Sequence, residues 1–82
     1  MQKSISSKAY QNLVDWLRES RESRGWSMRD LGERIGEPHS FVQKVESMER
    51  RIDVYELVQY CKALEQNPHI AIRIVMEASE SK

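Results

Sequence analysis

Apolar residues recur at steps of three and four along most of the chain, which is the spacing of one face of an α-helix. The first such stripe lies in a segment from Lys8 to about Arg24 and stops at Gly25. Two shorter stripes follow between Ser27 and Glu46. The first stripe consists of Tyr10, Leu13, Val14 and Leu17. This spacing predicts helices over the first half of the chain.

Capping signals divide the segment from Ser27 to Glu46 into two short helices. Ser27 with Asp30 three residues later resembles a capping box in which aspartate replaces the usual glutamate or glutamine. Gly36 is suited to end this helix because glycine tolerates positive φ, and Pro38 is suited to the first position of the next. We expect a second helix from Ser27 to Gly36 and a third from about Pro38 to Glu46.

The same signals predict two helices in the second half of the chain. Asp53 and Glu56 form a cap-like D-x-x-E pair ahead of an apolar stripe that reaches Leu64. Asn67 before Pro68 marks the start of a last helix. Its apolar positions are Ile70, Ala71, Ile74, Val75 and Ala78.

Five helices with short connections predict a compact all-α domain over residues 8–78. Residues 1–7 are expected to form a flexible arm and residues 79–82 a flexible tail. Residues 70–75 also alternate in polarity, as a strand would, but a lone strand would have nothing to pair with. A chain of 82 residues buries a modest core, so a partner subunit would help to stabilise it.

The overall charge limits how the chain could bind nucleic acid. It has 13 basic and 13 acidic residues and a formal net charge of zero. This balance argues against binding by bulk attraction, so any contact with DNA must depend on locally placed charge.

Several function classes find no support in the sequence. Cys61 is the only cysteine, which excludes an intrachain disulfide and a multi-cysteine metal site. We expect no metal, no cofactor and no enzymatic activity, because no nucleophile with a base, glycine-rich phosphate loop or paired carboxylates in a cleft can be recognised. No apolar run approaches the ~20 residues that a bilayer needs, so a cytoplasmic protein is expected.

A more specific pattern lies between Ser27 and Glu46. Counting from Met28, Gly32 is the fifth residue, Gly36 the ninth and Val42 the fifteenth. Gly32 is expected to let two helices cross closely, Gly36 to permit the turn and Val42 to fill the angle between the helices. The other inward positions are Leu31, Ile35 and Val45.

With this pattern the chain resembles the Cro and lambda-repressor-like (Xre) family of helix-turn-helix proteins. The resemblance covers about Leu13 to Leu64. It includes Arg-x-x-x-Gly-Trp-Ser at residues 21–27, Pro-His-Ser-Phe-Val at 38–42 and Glu-Arg-Arg-Ile-Asp-Val at 49–54. It implies a five-helix lambda-repressor-like DNA-binding domain.

The resemblance implies that the third helix enters the major groove and contacts base edges. Gln43 suits adenine, Lys44 suits guanine or a phosphate, and Phe41 suits a thymine methyl group. Packing of Phe41 on its own scaffold and simple exposure of His39 are the alternatives. The implied base-contacting residues are His39, Ser40, Phe41, Gln43 and Lys44.

Two further segments are implied to contact the DNA backbone. They are the start of the second helix and the loop after the third. Many family members carry glutamine at the position of Met28, and methionine cannot reproduce its polar contact. The implied backbone-contacting residues are Ser27, Met28, Arg29, Arg50 and Arg51.

The family parallel also implies an ion pair between Arg21 and Glu46, which would tie the first helix to the end of the third. Glycine is common in the family at the position of Met48. If the loop keeps a left-handed conformation there, a side chain costs roughly 1 kcal/mol; a rearranged loop is the alternative. Trp26 is expected to fill the core.

These features favour a regulator, most simply a repressor, that binds an inverted-repeat operator in double-stranded DNA as a homodimer. Ile70, Ile74 and Val75 in the last helix form the expected dimer surface, because they are more apolar than so small a domain can easily bury. The alternative is a protein-interaction module, such as an antitoxin-like or accessory regulator, whose DNA contact is incidental.

Overall fold

The computed structural model describes residues 7–80 of the chain, with side chains for residues 7–78. Residues 7–80 form five α-helices and no strand, which confirms the predicted all-α class. The alternative of a strand at 70–75 is wrong, because these residues are helical. The helices are α1 (Lys8–Ser23), α2 (Met28–Ile35), α3 (His39–Glu46), α4 (Val54–Leu64) and α5 (Pro68–Glu80).

Capping residues set where the helices begin. Ser27 Oγ accepts the Asp30 N–H at 3.0 Å, and Asp30 Oδ2 accepts the Ser27 N–H at 2.9 Å, so the predicted capping box is formed. Asp53 and Glu56 form a second box at 2.7 and 3.0 Å. Pro38 departs from the prediction. It is the extended residue before α3, with φ −68° and ψ 159°, because its fixed φ suits this position as well as the first helical one.

The predicted arm and tail lie mostly outside the described residues. Ser7, the last residue of the arm, caps α1 by accepting the Tyr10 N–H on its Oγ at 3.1 Å. Residues 1–6 lie outside the described part of the chain. In the predicted tail, the backbone of 79–80 continues α5, and 81–82 lie outside.

One apolar core draws on all five helices. α2 and α3 have eight residues each, which is too short for a helix to persist alone, so they depend on this packing. α2 packs against α3 and α4, while α3 also packs against α1. Ile35, expected to face inward, is only half-buried. The core residues are Tyr10, Leu13, Val14, Leu17, Leu31, Val42, Val45, Ile52, Leu57, Tyr60, Cys61, Leu64 and Ala71.

Two structural observations bear on the membrane-spanning and metal-binding classes that the sequence argues against. No helix among residues 7–80 combines the length and the apolar character that crossing a membrane requires. Within the same residues, no three His, Cys, Asp or Glu side chains come together as metal ligands. Cys61 is fully buried, and burial raises the pKa of its thiol, which disfavours the reactive thiolate.

Candidate nucleic-acid interface

The turn between α2 and α3 folds back onto α2 so closely that it requires glycine. Gly36 ends α2 with φ 74° and ψ 30°, the left-handed conformation that was expected. A Cβ atom on Gly32 would lie 2.6 Å from the Glu37 carbonyl oxygen. Gly32 was expected to let two helices cross closely. The close approach is instead to the backbone of the turn, whose Glu37 N–H donates to the Gly32 carbonyl at 2.8 Å.

α3 presents one fully buried face and one exposed face. Val42 and Val45 are completely buried. Four of the five predicted base-contacting residues lie on the opposite side, where spacings of three and four bring side chains together on a helix. Within the described residues, none of these four side chains forms a hydrogen bond or an ion pair. They are His39, Ser40, Gln43 and Lys44, and all are exposed.

Phe41 is the one predicted base contact that the structure separates from the others. Its side chain is half-buried and packs against the core. Its ring centroid lies 6.3 Å from that of Tyr60, and the guanidinium carbon of Arg50 lies 4.6 Å from the Phe41 centroid. These contacts favour the packing alternative for Phe41 in the free protein.

The start of α2 exposes Ser27 and Arg29 but not Met28, whose side chain packs against the core. Because its side chain packs against the core, Met28 contributes apolar contacts at a position where many family members have glutamine. The amides of Met28 and Arg29 lie in the first turn, where no carbonyl of the same helix can accept them. The backbone N–H of Ser27 bonds the Asp30 carboxylate and holds its pKa below the usual range, so a negative charge already sits at this helix end.

The loop between α3 and α4 keeps a left-handed residue at Met48, with φ 65°. The rearranged loop considered above is therefore not adopted. The loop wraps back over the end of α3, where the N–H groups of Glu49 and Arg50 both donate to the Lys44 carbonyl, at 2.9 and 3.2 Å. The half-buried Met48 side chain packs against the core, and this contact offsets part of the conformational cost.

The two loop arginines have different surroundings. Arg51 is exposed, and its side chain makes no hydrogen bond or ion pair within the described residues. Arg50 donates from Nη1 and Nη2 to the two carboxylate oxygens of Glu56, each at 2.8 Å. The hydrogen bond from Arg50 lowers the pKa of Glu56, so this carboxyl is ionised near neutral pH.

Arg21 and Glu46 join α1 to the end of α3. Arg21 donates from Nε and Nη2 to the Glu46 carboxylate at 2.7 and 3.0 Å, and from Nη1 to the Trp26 carbonyl at 2.7 Å. Both charged residues are less than a tenth exposed. The hydrogen bond to Glu46 raises the pKa of Arg21 further. The cluster fixes α3 against α1 and against the turn that leads into α2.

Three features around this framework were not predicted. Tyr10 Oη accepts the Ile52 N–H at 3.1 Å and donates to the Arg50 carbonyl at 3.5 Å, which ties the loop to α1. Trp26 was expected to fill the core but is half-buried, with the Arg34 guanidinium carbon 3.8 Å from its ring centroid. Tyr60 Oη is buried and has no hydrogen-bond partner among the described residues. The contacts of Tyr10 and Trp26 do not follow a short sequence spacing that would have revealed them.

Comparison with known proteins agrees with this geometry. A helix-turn-helix family model (HTH_3) matches residues 17–69. An XRE-family like protein from Pseudomonas syringae pv. tomato has a solved structure that is 36% identical, with 84% of each chain covered and a TM-score of 0.77. The chain belongs to the Xre-type helix-turn-helix family. The predicted family and fold are thereby confirmed.

This Xre-type protein also shares its fold with a more distant structure. The clp gene regulator ClgR from C. glutamicum is similar with a TM-score of 0.76 over 94% of this chain and 100% of that chain, at 17% sequence identity. At that identity the likeness concerns the fold alone. No curated protein sequence matches the chain significantly. Family membership makes the protein a DNA-binding transcription regulator.

Proposed function

We propose that this Xre-type regulator represses transcription by binding an inverted-repeat operator as a two-fold dimer, with α3 in the major groove. The observation that carries the proposal is the outer face of α3. Polar side chains are exposed there and form no hydrogen bond or ion pair with the described residues, on a helix whose opposite face is fully buried. A short helix held rigidly on one side can present such a face to base edges at a defined angle.

The chemistry of that face suits direct readout of bases. The Gln43 amide can donate to and accept from adenine, and the Lys44 ammonium can donate to guanine or to a phosphate. His39 and Ser40 occupy the first turn of α3, the part of a reading helix that enters the groove first. A well-placed bidentate contact discriminates against a wrong base by about 1–3 kcal/mol.

Contacts on both sides of α3 would hold it in register. The start of α2 offers the amides of Met28 and Arg29 together with the exposed Ser27 hydroxyl, and the loop after α3 offers Arg51 and Arg50. Because the net charge is zero, affinity would depend on the placement of these groups more than on long-range attraction.

A single reading helix contacts too few bases for high specificity, so a dimer is proposed. Its proposed interface is α5. Ile70 is exposed and Ile74 is half-buried, whereas Val75 packs partly against the core of its own subunit. Ile72 and Met76 were not among the predicted dimer residues. They are 49% and 54% exposed and enlarge the apolar surface of this helix. The proposed surface therefore includes Ile72 and Met76.

Selection of bound sites from random double-stranded DNA tests the proposal. We expect a palindrome whose half-sites are centred roughly 10 base pairs, or one helical turn, apart, and a dimer in sedimentation equilibrium that Ile70→Glu weakens. Gln43→Ala should relax base preference at one position of each half-site. Gln11→Ala, at an exposed position of α1, is the matched control and should leave the preference unchanged. Failure to enrich any sequence at low salt would contradict the proposal.

A protein-binding role is the second candidate, and one surface feature favours it. A groove of about 200 Å³ lies beside the α2–α3 turn and α4, lined in part by Phe41, Tyr55 and Gln59. Val54 and Tyr55 at the start of α4 are 76% and 72% exposed, which is unusual for large apolar side chains. This candidate predicts that Tyr55→Ser abolishes function in the cell while binding to selected DNA is retained.

A further inference from the structure

Arg50 differs from its neighbour in how much of its hydrogen-bonding capacity is already used. An arginine guanidinium has five N–H donors. Two of those of Arg50 bond the Glu56 carboxylate at 2.8 Å each, and a third, on Nη1, bonds the Arg51 carbonyl at 3.2 Å. The Arg51 side chain has no such partner within the described residues. Of these two arginines, only Arg50 therefore forms an ion pair with a carboxylate among the described residues.

The same arrangement covers part of α3. The Arg50 guanidinium carbon lies 4.6 Å from the centroid of the Phe41 ring, and Phe41 follows Ser40 and lies three positions before Lys44, a neighbour on the helix surface. Glu56 therefore holds a cation over an aromatic ring that belongs to the reading helix. While this contact persists, neither the full charge of Arg50 nor the outer surface of Phe41 is available to a ligand.

The ion pair between Arg50 and Glu56 is accessible to solvent and can therefore open. The side chains of Arg50 and Glu56 are 40% and 22% exposed, so water and salt reach both groups. A phosphate offers a guanidinium the same planar, bidentate pairing as a carboxylate does. The pairing between Arg50 and Glu56 is therefore one that a DNA phosphate can replace directly.

We propose that Glu56 competes with DNA phosphates for Arg50, and that its carboxylate thereby sets both the affinity and the salt dependence of DNA binding. Opening the pair supplies one phosphate contact and uncovers Phe41 beside the bases. Glu56 acts through Arg50 and is a positioning residue that does not itself contact DNA. This inference rests on the proposed function, and its test is chosen so that the two can fail separately.

The test compares wild type with Glu56→Gln. The amide oxygen of glutamine can still accept the Asp53 N–H, so the cap of α4 is kept while the charge that retains Arg50 is removed. We expect DNA affinity to rise about 2- to 5-fold at low salt, since the competition is worth no more than an exposed ion pair. The slope of log affinity against log salt should steepen by about 0.9, the value for one additional phosphate contact.

Matched variants separate this effect from a general loss of negative charge. Glu49→Gln removes the same charge next to Arg50, from a carboxylate that accepts a hydrogen bond from Ser47 and has no ion pair among the described residues. It should raise affinity less than Glu56→Gln. In an Arg50→Gln background, Glu56→Gln should raise affinity no more than Glu49→Gln does, because only the general loss of negative charge remains.

The outcomes are distinct. Affinity that is unchanged or weaker in Glu56→Gln, or a gain in the Arg50→Gln background that exceeds the gain from Glu49→Gln, would overturn the inference while leaving the proposed function intact. Absence of selective DNA binding by the wild-type protein would instead overturn the proposed function. If Glu56→Gln were to lower the fraction of folded protein, Glu56→Asp offers a second test. It keeps the charge but shortens the reach to Arg50, and should give a smaller gain in the same direction.

Discussion

Two arginine–glutamate pairs flank α3, and they differ mainly in burial. Arg21 meets Glu46 at 2.7 and 3.0 Å, and Arg50 meets Glu56 at 2.8 Å twice. The side chains are 9% and 3% exposed in the first pair and 40% and 22% exposed in the second. Nearly identical hydrogen bonding therefore operates in two different environments.

Burial, rather than hydrogen-bond geometry, therefore decides what each pair can do. Charges removed from water cannot be left without a partner, so the buried pair fixes α3 to α1 permanently. Charges that water and salt can reach can exchange partners at little cost, so the exposed pair covers α3 without locking it. α3 is thus held on its inner side and reversibly covered at one edge.

The largest effect is expected from breaking the buried pair. Glu46→Ala leaves the Arg21 guanidinium buried without its carboxylate and should lower the free energy of unfolding by about 3–5 kcal/mol. Urea denaturation followed by circular dichroism measures this change. Glu46→Gln, which keeps an acceptor of the same shape, should lose less. A loss below about 1 kcal/mol in Glu46→Ala would show that the pair is not desolvated as described.

Replacing both members of the buried pair should restore most of that stability. In the double variant Arg21→Met with Glu46→Leu, no charge remains to be solvated, and apolar side chains of similar size fill the space. We expect the double variant to be more stable than either single variant, with a coupling of about 1–3 kcal/mol in a double-mutant cycle. Additive losses from the two single variants would contradict this expectation.

The exposed pair should affect stability less, and in a pH-dependent way. Arg50 lowers the pKa of Glu56 in the folded protein, so the resulting stabilisation is fully present above the unfolded pKa and is lost as pH falls through the folded pKa. At neutral pH the Tm of Glu56→Gln should be slightly below that of wild type. As the pH falls through the folded pKa of Glu56, which lies below the usual value for a glutamate, the two Tm values should converge. A Tm difference that is unchanged in acid would argue against this pairing.

The smallest effect is expected from salt. Raising the salt from about 0.1 to 1 M shortens the screening length from roughly 10 to 3 Å, which weakens interactions between exposed charges. The stability difference between wild type and Glu56→Gln should shrink in 1 M salt, whereas the difference between wild type and Glu46→Ala should persist. Thermal unfolding of the three proteins at both salt concentrations checks this contrast. Equal salt sensitivity would remove the distinction between the two pairs.

The helices were predictable because their signals are local. Ser27 with Asp30 and Asp53 with Glu56 cap the helices that follow them, and each box depends on a spacing of three residues. The pair between Arg21 and Glu46 was anticipated only through the family resemblance, since 25 positions separate its members. Local spacing alone gives no account of such a contact.

The pair between Arg50 and Glu56 could not be predicted, because Glu56 already had a local explanation as a capping residue. Glu56 was identified as a capping residue, and the structure shows its carboxylate serving both the cap and Arg50. Whether Arg50 turns towards DNA or towards α4 depends on the path of the loop, which includes a left-handed residue at Met48. The inward turn of Met28 likewise depends on space that only the packed helices define.

The most direct test of the central claim, that the outer face of α3 reads DNA, is the salt dependence of binding to a selected operator. Lys44→Ala should weaken binding and reduce the slope of log affinity against log salt by about 1, because one phosphate or base contact is lost. Lys62→Ala, at an exposed position of α4, should leave affinity and slope unchanged. Equal slopes and affinities for Lys44→Ala and wild type would contradict the account.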